Sequence, residues 1–328
     1  MKFNLKILII VLSVLVGILL FAKLYRSKKT EKTFKTELVE IDTSKVKSIL
    51  LYPRSEKQKE IKFTKSGTGW TVQKDNFTTE ADINSVANLL MELSRIKPER
   101  LASKSKEKWV EYQLNDTLGT RIKVVEEGDK VTCDLVIGKL SFQQKNQFPG
   151  NQFQGFNKGG GNVSGTTFVR NYSEDEAYAV NGFLPMTFNQ EFNSWRNKNI
   201  IRCTKNSLTK LAFRYPADSS FTLSNPDSVW RIDGSPADSM KTDQYLSQVV
   251  MQTSTDFIDD FKPSGSPLMQ LTIEGNNMTA IVVQCFNGKT EDELIINSSQ
   301  NPKVYFNAKP GNLTGRIFKG KGEFEKKQ

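Results

Sequence analysis

Histidine is absent from all 328 residues. Its absence removes the Ser-His-Asp and Cys-His arrangements of nucleophilic catalysis and every His-containing zinc site. It also removes the side chain best matched to proton transfer near neutral pH. An enzyme built from this chain would have to work through carboxylates, lysine, tyrosine or Ser-Lys pairs. Cysteine is scarce: Cys133, Cys203 and Cys285 lie far apart with no C-x-x-C spacing, so metal-knuckle and redox-motif chemistry have no basis. Each sits in or beside an apolar run and reads as a buried thiol; in an exported chain, a Cys133–Cys285 disulfide is the alternative. Gly159-Gly160-Gly161 is not followed by Gly-Lys-Ser/Thr and lacks a strand-to-helix setting, which excludes a phosphate loop. No Asp-x-Asp-x-Asp-Gly calcium loop occurs either.

Long apolar runs are missing with one exception. Ile7 to Ala22 is an unbroken stretch of 16 residues, interrupted only by Ser13 and Gly17 and bracketed by Lys6 and Lys23. As a helix it spans about 24 Å, and Leu5, Leu24 and snorkelling lysines extend it toward the roughly 30 Å of a bilayer core. Neither a small-x-small cleavage site nor a lipobox cysteine follows. The expectation is therefore an uncleaved single-pass anchor over 7–24, behind a short flank at 1–6. Of the net charge of +10, residues 1–35 carry +7, from eight Lys/Arg against Glu31. The basic excess flanks the apolar run and leaves no basic face on the rest, which argues against a nucleic-acid partner. The charge rule on its own puts the large domain in the cytoplasm, because six Lys/Arg follow the run and two precede it. A short N-terminal anchor with early lysines instead enters an export route. The expected location is the cytoplasmic (inner) membrane, with the large domain extracytoplasmic.

What remains is enough for folded domains: 37% hydrophobic and 10% aromatic residues, a composition that rules out wholesale disorder. The pattern is stated twice. In the first statement, Lys45 to Tyr52 reads as a strand ended by Pro53. Glu60–Thr64 and Trp70–Val72 flank a Ser-Gly-Thr-Gly turn. Capping-type residues at 79–82 precede a helix in which Val86, Leu89, Leu90, Leu93 and Ile96 form one stripe. Arg121–Val125 and Val131–Ile137 then make a second hairpin. In the second statement, Leu208–Tyr215, the pair Phe221–Leu223 and Val229–Ile232, a helix over Asp243–Met251, and the pair Leu268–Ile273 and Ala280–Phe286 follow in the same order. A repeat at this spacing fixes architecture before any motif does. The fold class expected is α+β: two tandem similar units, each an antiparallel sheet with a packed helix, behind one N-terminal transmembrane helix. The divisions are a linker at 25–40, unit one at 41–195, unit two at 196–318 and a charged tail at 319–328.

One stretch has no counterpart. Residues 141–165 are rich in Gln, Asn, Gly and Phe and read as a mobile loop between two strands of unit one. They are either a tolerated insertion or a set of partner-binding stickers at Phe142, Phe148, Phe153 and Phe156. The acidic groups Asp256, Asp259, Asp260 and Glu291, Asp292, Glu293 read as solvated turns. Trp70 and Trp230 read as matched hairpin-packing residues in preference to sugar platforms.

Several of these elements are shared with a known family. The helix Val86-x-x-Leu89-Leu90-x-x-Leu93, the hairpin tryptophans Trp70 and Trp230, and the segments Tyr112-Gln113-Leu114, Leu135-Val136-Ile137-Gly138, Thr167-Phe168-Val169 and Tyr178-Ala179-Val180 resemble the bacterial domain-of-unknown-function family 4340. That family favours Tyr-Gly-Leu where this chain has Tyr-Gln-Leu, and the second unit lacks the element. The resemblance implies an anchored, duplicated α+β protein that accompanies ABC-type transporter components of the kind named for gliding motility. It implies no catalytic, cofactor or metal residues. The expected function is a non-catalytic accessory, scaffold or binding subunit whose partners are the membrane and a transporter permease subunit. The alternatives are an envelope hydrolase using carboxylates and a surface adhesion or assembly protein.

Overall fold

In the computed structural model, the described residues are Lys35, 37–144, 163–290 and 293–326. The expected anchor over 7–24, the flank at 1–6 and most of the linker at 25–40 lie outside them. Among the described residues, no helix is long and apolar enough to cross a membrane. Strands dominate and helices are few: this is an α+β protein built on two large, mostly antiparallel sheets.

The first sheet contains β1 (Val46–Tyr52), β2 (Ile61–Ser66), β3 (Gly69–Lys74), β4 (Phe77–Glu80), β5 (Pro98–Ser103), β6 (Thr120–Glu126), β7 (Val131–Gln144), β8 (Val163–Asn171) and β9 (Ala177–Asn181). Its strand order is β4-β3-β2-β1-β6-β7-β8-β9-β5. After the short strand β10 (Asn199–Arg202) come β11 (Leu208–Arg214), β12 (Phe221–Ser224), β13 (Arg231–Ile232), β14 (Ser235–Pro236), β15 (Met251–Thr253), β16 (Phe257–Ile258), β17 (Met269–Gly275), β18 (Ile281–Asn287), β19 (Leu294–Ser298) and β20 (Asn301–Asn307). The second sheet runs β14-β13-β12-β11-β17-β18-β19-β20-β16, while β10 and β15 pair separately. Strand for strand, the two nine-membered orders are the same.

The agreement extends to register. On β1 the buried residues are Val46, Ile49 and Leu51, and on β11 they are Leu208, Leu211 and Phe213. Simple alternation would not bury the first and fourth positions together. Each strand has a register shift between its first and third residues, Val46/Ser48 and Leu208/Lys210. The extra residue turns the leading side chain onto the buried face. Ile49 and Leu51 then face Val124 and Ile122, as Leu211 and Phe213 face Ile273 and Leu271.

Helix α1 (Ile83–Ser94) buries Val86, Leu89, Leu90 and Leu93, the stripe its spacing predicts. It ends before Ile96, which is buried outside it. The Asp82 carboxylate caps α1, accepting from Ser85 N–H at 2.7 Å. Two short helices, α2 (Leu184–Phe188) and α3 (Phe192–Trp195), close the first half. In the second half α4 (Ser239–Val249) starts earlier than the expected 243 and buries Thr242, Tyr245, Leu246 and Val249 at the same spacing. It is capped by Asp238, which accepts from Lys241 N–H. A short α5 (Leu313–Ile317) and a single turn at Lys321–Glu323 end the described chain. The expected charged tail at 319–328 is corrected by Phe324, which is 1% exposed and belongs to the second core. An aromatic ring inside a basic segment outweighs its charges when a pocket takes it. Phe324 C=O accepts Asp238 N–H at 2.8 Å, just as Trp195 C=O accepts Asp82 N–H at 2.8 Å.

By compactness, one unit runs up to Lys62 and resumes over Ala87–Gln190, and the other takes Phe63–Val86 and the described chain from Glu191. The sequence boundary at 195/196 did not anticipate that Phe63–Val86 packs with the later unit. The cause is local pairing: Ala81 bridges Arg196, Asn197 N–H donates to Glu80 C=O at 2.8 Å, and Phe63 meets Trp195 edge-on at 5.3 Å.

Candidate binding cleft

A hollow of about 410 Å³ lies inside the later compact unit. The end of β2 and start of β3 supply Ser66, Gly69, Trp70 and Thr71. The end of β4 and the first turn of α1 supply Glu80, Ala81, Ile83 and Asn84, and the other wall is Asn197, Asn199 and Arg202. The hairpin holds Trp70 because its C=O accepts Ala81 N–H at 2.9 Å. The far wall is fixed by amide bonding: Asn199 Nδ2 donates to Asn197 Oδ1 at 3.0 Å, Asn197 Nδ2 to Glu80 Oε2 at 3.4 Å, and Asn301 Nδ2 to Asn197 C=O at 2.6 Å. Among the described residues, the Trp70 indole N–H, the Asn84 carboxamide and the Arg202 guanidinium have no hydrogen-bond or ion-pair partner. The arrangement offers an apolar ring, planar amides, one carboxylate and one unengaged cation on an open wall. That is recognition chemistry.

Two buried arginines organise the surroundings of the two halves. Arg196, 2% exposed, donates to Asp259 Oδ2 at 2.9 Å through Nη1 and to Asp259 Oδ1 through Nη2. Its guanidinium lies 3.8 Å from the Phe257 ring centre and 4.9 Å from that of Phe77. Arg170, 1% exposed, donates to the carbonyls of Leu114 at 2.8 Å, Tyr172 at 2.7 Å and Asn171 at 3.2 Å. It stands 3.7 Å above Trp109, in a ladder with Tyr172, Arg121 and Tyr52. Burial pulls the Arg170 pKa below its ordinary value. Arg121 is clamped by both oxygens of Asp134, at 2.8 and 2.7 Å.

The other residues singled out from the sequence are scattered. Trp230 packs against the second core, as expected, but Trp70 lines the cleft. Asp259 is 48% exposed in a bend, as the solvated-turn reading expects, and is also the counter-ion of Arg196. Asp256, Asp260 and Glu293 line a separate hollow of about 260 Å³, where Asp260 pairs with Lys289. Glu291, Asp292, Phe148, Phe153, Phe156 and Gly159–Gly161 lie outside the described residues. Phe142 is exposed, 6.0 Å from Phe183. Of the loop expected at 141–165, residues 141–144 and 163–165 are strand, in β7 and β8, and the rest lies outside the described residues. All three thiols are free, so no Cys133–Cys285 disulfide is present; burial pushes Cys133 and Cys285 up to about 12. Among the described residues, no cluster of His, Cys, Asp or Glu could hold a metal ion. The arginines went unread in the sequence. The available signal was Arg170 directly following the apolar pair Phe168-Val169.

The fold defines a class: an α+β protein whose two sheets share one strand order and whose first half carries a Tyr-x-Leu loop seated on a glycine. At Gly138 a Cβ would lie 2.8 Å from Leu114 Cδ2 and 2.9 Å from Gln113 C=O, which explains the Gly after Ile137. A family model described as Domain of unknown function (DUF4340) matches residues 74–268, more than half of the chain, and the chain belongs to that family. No curated protein and no solved structure matches it.

Proposed function

We propose that the chain is a non-catalytic binding subunit, tethered to the cytoplasmic membrane by 7–24 with its folded part outside. In this reading it serves as an accessory or scaffold of an ABC-type transporter or gliding-type complex. The carrying observation is the cleft at Trp70, Asn84 and Arg202, whose side chains are positioned and uncommitted. Reading the chain as two copies of one module is supported by the common strand order, the matched bulges and the matched helix caps. The carboxylate-hydrolase reading has less support, because Asp259 and Asp260 are each engaged by a cation. The test is purification at native expression in mild detergent. A transporter permease subunit should co-purify, and Arg202→Glu should leave the fold intact. Reproducible recovery of the protein alone overturns the proposal.

A further inference from the structure

We infer that the cleft recognises an acidic glycan, a sugar ring bearing a carboxylate, and that Arg202 takes that carboxylate. The inference deepens the binding reading above and rests on it.

The first argument concerns the backbone. An extended peptide gains most of its affinity by adding to a free strand edge through main-chain hydrogen bonds. Along this wall five strand and loop donors are spent. Ala81 N–H goes to Trp70 C=O, Asp82 N–H to Trp195 C=O and Asn197 N–H to Glu80 C=O. Asn199 N–H goes to Asn197 Oδ1 at 3.2 Å and Arg202 N–H to Gln300 Oε1 at 2.7 Å. With those five donors engaged, side chains carry most of the reading of a ligand here.

The second argument is the chemistry of those side chains. A carboxamide presents a donor and an acceptor side by side, which suits adjacent hydroxyls. An indole presents an apolar face and one N–H, which suits the C–H face of a pyranose and a hydroxyl at its rim. A guanidinium presents a fork that fits a carboxylate. Asn84, Trp70 and Arg202 supply one of each, unengaged among the described residues. The volume of about 410 Å³ lies within the roughly 300–1,000 Å³ of small-ligand pockets.

The third argument is asymmetry between the halves. Ala237 N–H donates to Trp230 C=O at 3.0 Å, as Ala81 N–H does to Trp70 C=O. Trp230 nevertheless packs on a core, and the wall Asn197–Arg202 follows Trp195. Trp70 thus stands beside this wall, a neighbour that its hairpin position alone does not specify.

The test uses the full chain in detergent and saturation-transfer NMR with two probes. One is the disaccharide of N-acetylglucosamine and N-acetylmuramic acid, which carries a carboxylate. The other is the neutral N,N′-diacetylchitobiose. Transfer to ring protons of the acidic sugar is expected, with at least tenfold weaker binding of the neutral one. Arg202→Gln should erase that tenfold preference, and Asn84→Ala should weaken both sugars. Because Trp70 also supports its hairpin, Trp70→Phe and Trp70→Leu are compared, and only the leucine variant should lose ring transfer. Equal binding of both sugars, or an unchanged preference in Arg202→Gln, overturns the inference. If neither sugar binds while the permease still co-purifies, the glycan assignment falls and the accessory role stands. If sugar binding persists without co-purification, the glycan assignment is upheld and the accessory role fails.

Discussion

Arg170 and Arg196 are both almost wholly buried, yet Arg170 is held mainly by backbone carbonyls and Arg196 by a carboxylate. Taking a cation out of water costs several kcal/mol unless its donors are met. Arg170 meets that cost with the carbonyls of Asn171 and Tyr172, beside it in sequence, and with that of Leu114, which reaches it when the segment from Trp109 to Leu114 is docked. Its nearest acid, Asp116, is 73% exposed and 3.5 Å away. Arg196 meets it with Asp259, 48% exposed, and three phenylalanine rings, and its Nε has no partner. A carbonyl cage is geometric and insensitive to salt. An ion pair at a half-exposed rim is electrostatic and can be screened.

The largest effect that would break this comparison is removal of the Arg170 guanidinium. Arg170→Met leaves carbonyls without donors and removes the stack on Trp109. It should cost about 3–5 kcal/mol in urea unfolding, nearly independent of added salt. The paired acids sharpen the contrast. Asp259→Asn leaves Arg196 buried without its counter-ion and should cost about 2 kcal/mol, below the fully buried case because the carboxylate is half-exposed. Asp116→Asn should cost less than about 0.5 kcal/mol. Equal losses for the two acids would show that Arg170 too is held by charge.

A second contrast separates the helices. The four buried positions of α1 are Val86, Leu89, Leu90 and Leu93, and those of α4 are Thr242, Tyr245, Leu246 and Val249. Tyr245 thus stands where the first half has Leu89, with its hydroxyl donating to Ile317 C=O at 2.6 Å. Burial raises its pKa well above the usual value. The unfolded chain loses this proton near pH 10, whereas the folded chain keeps it. The stability is therefore complete below pH 10 and declines as pH rises toward the folded pKa. Tyr52, pushed up to about 12 mainly by desolvation, adds to the fall between 10 and 12. Tyr245→Phe should cost about 1 kcal/mol at pH 7 and flatten the alkaline decline, measured by thermal unfolding from pH 8 to 12. An unchanged slope would remove Tyr245 as its source.

Elements that rest on local periodicity were legible in the sequence. The stripe of α1, the strands β1, β6 and β11, and the hairpin of β17 and β18 all fall close to their expected positions, because apolar spacing reports the buried face directly. The common order of elements in the two sheets was legible for the same reason. Strands set by long-range pairing were not. Edge strand β5 begins at Pro98, which reads as a helix stop, and pairs with β9 some 80 residues later in register Pro98↔Val180. Strand β16 is two residues long. The candidate site was legible only in part. Trp70 looked equivalent to Trp230, and no sequence pattern brings Asn197 to Glu80; the bond between them depends on the Ala81–Arg196 bridge. Phe324 was hidden by the lysines around it.

The smallest effect concerns Gln113, at the position where the Tyr-x-Leu resemblance implies a glycine. Gln113 has φ +56°, a left-handed conformation that costs an L-residue roughly 1–2 kcal/mol. Glycine adopts it freely, which accounts for the Tyr-Gly-Leu preference. Leu114 N–H closes the turn onto Trp109 C=O at 2.7 Å, so the conformation is required whichever residue stands at 113. Gln113 recovers part of the cost through Oε1, which accepts from Arg54 Nη1 at 3.2 Å on an exposed surface. Glycine also loses about 0.5–1 kcal/mol through the freedom of its unfolded chain. The balance favours Gln113→Gly by about 0.5 kcal/mol, read as a small rise in the urea midpoint at constant slope. Gln113→Ala keeps the left-handed strain and loses the Arg54 contact, so it should fall below the parent. If alanine matched glycine, the turn would be relaxing to negative φ, and the docked loop that cages Arg170 would be less rigid than the contrast with Arg196 requires.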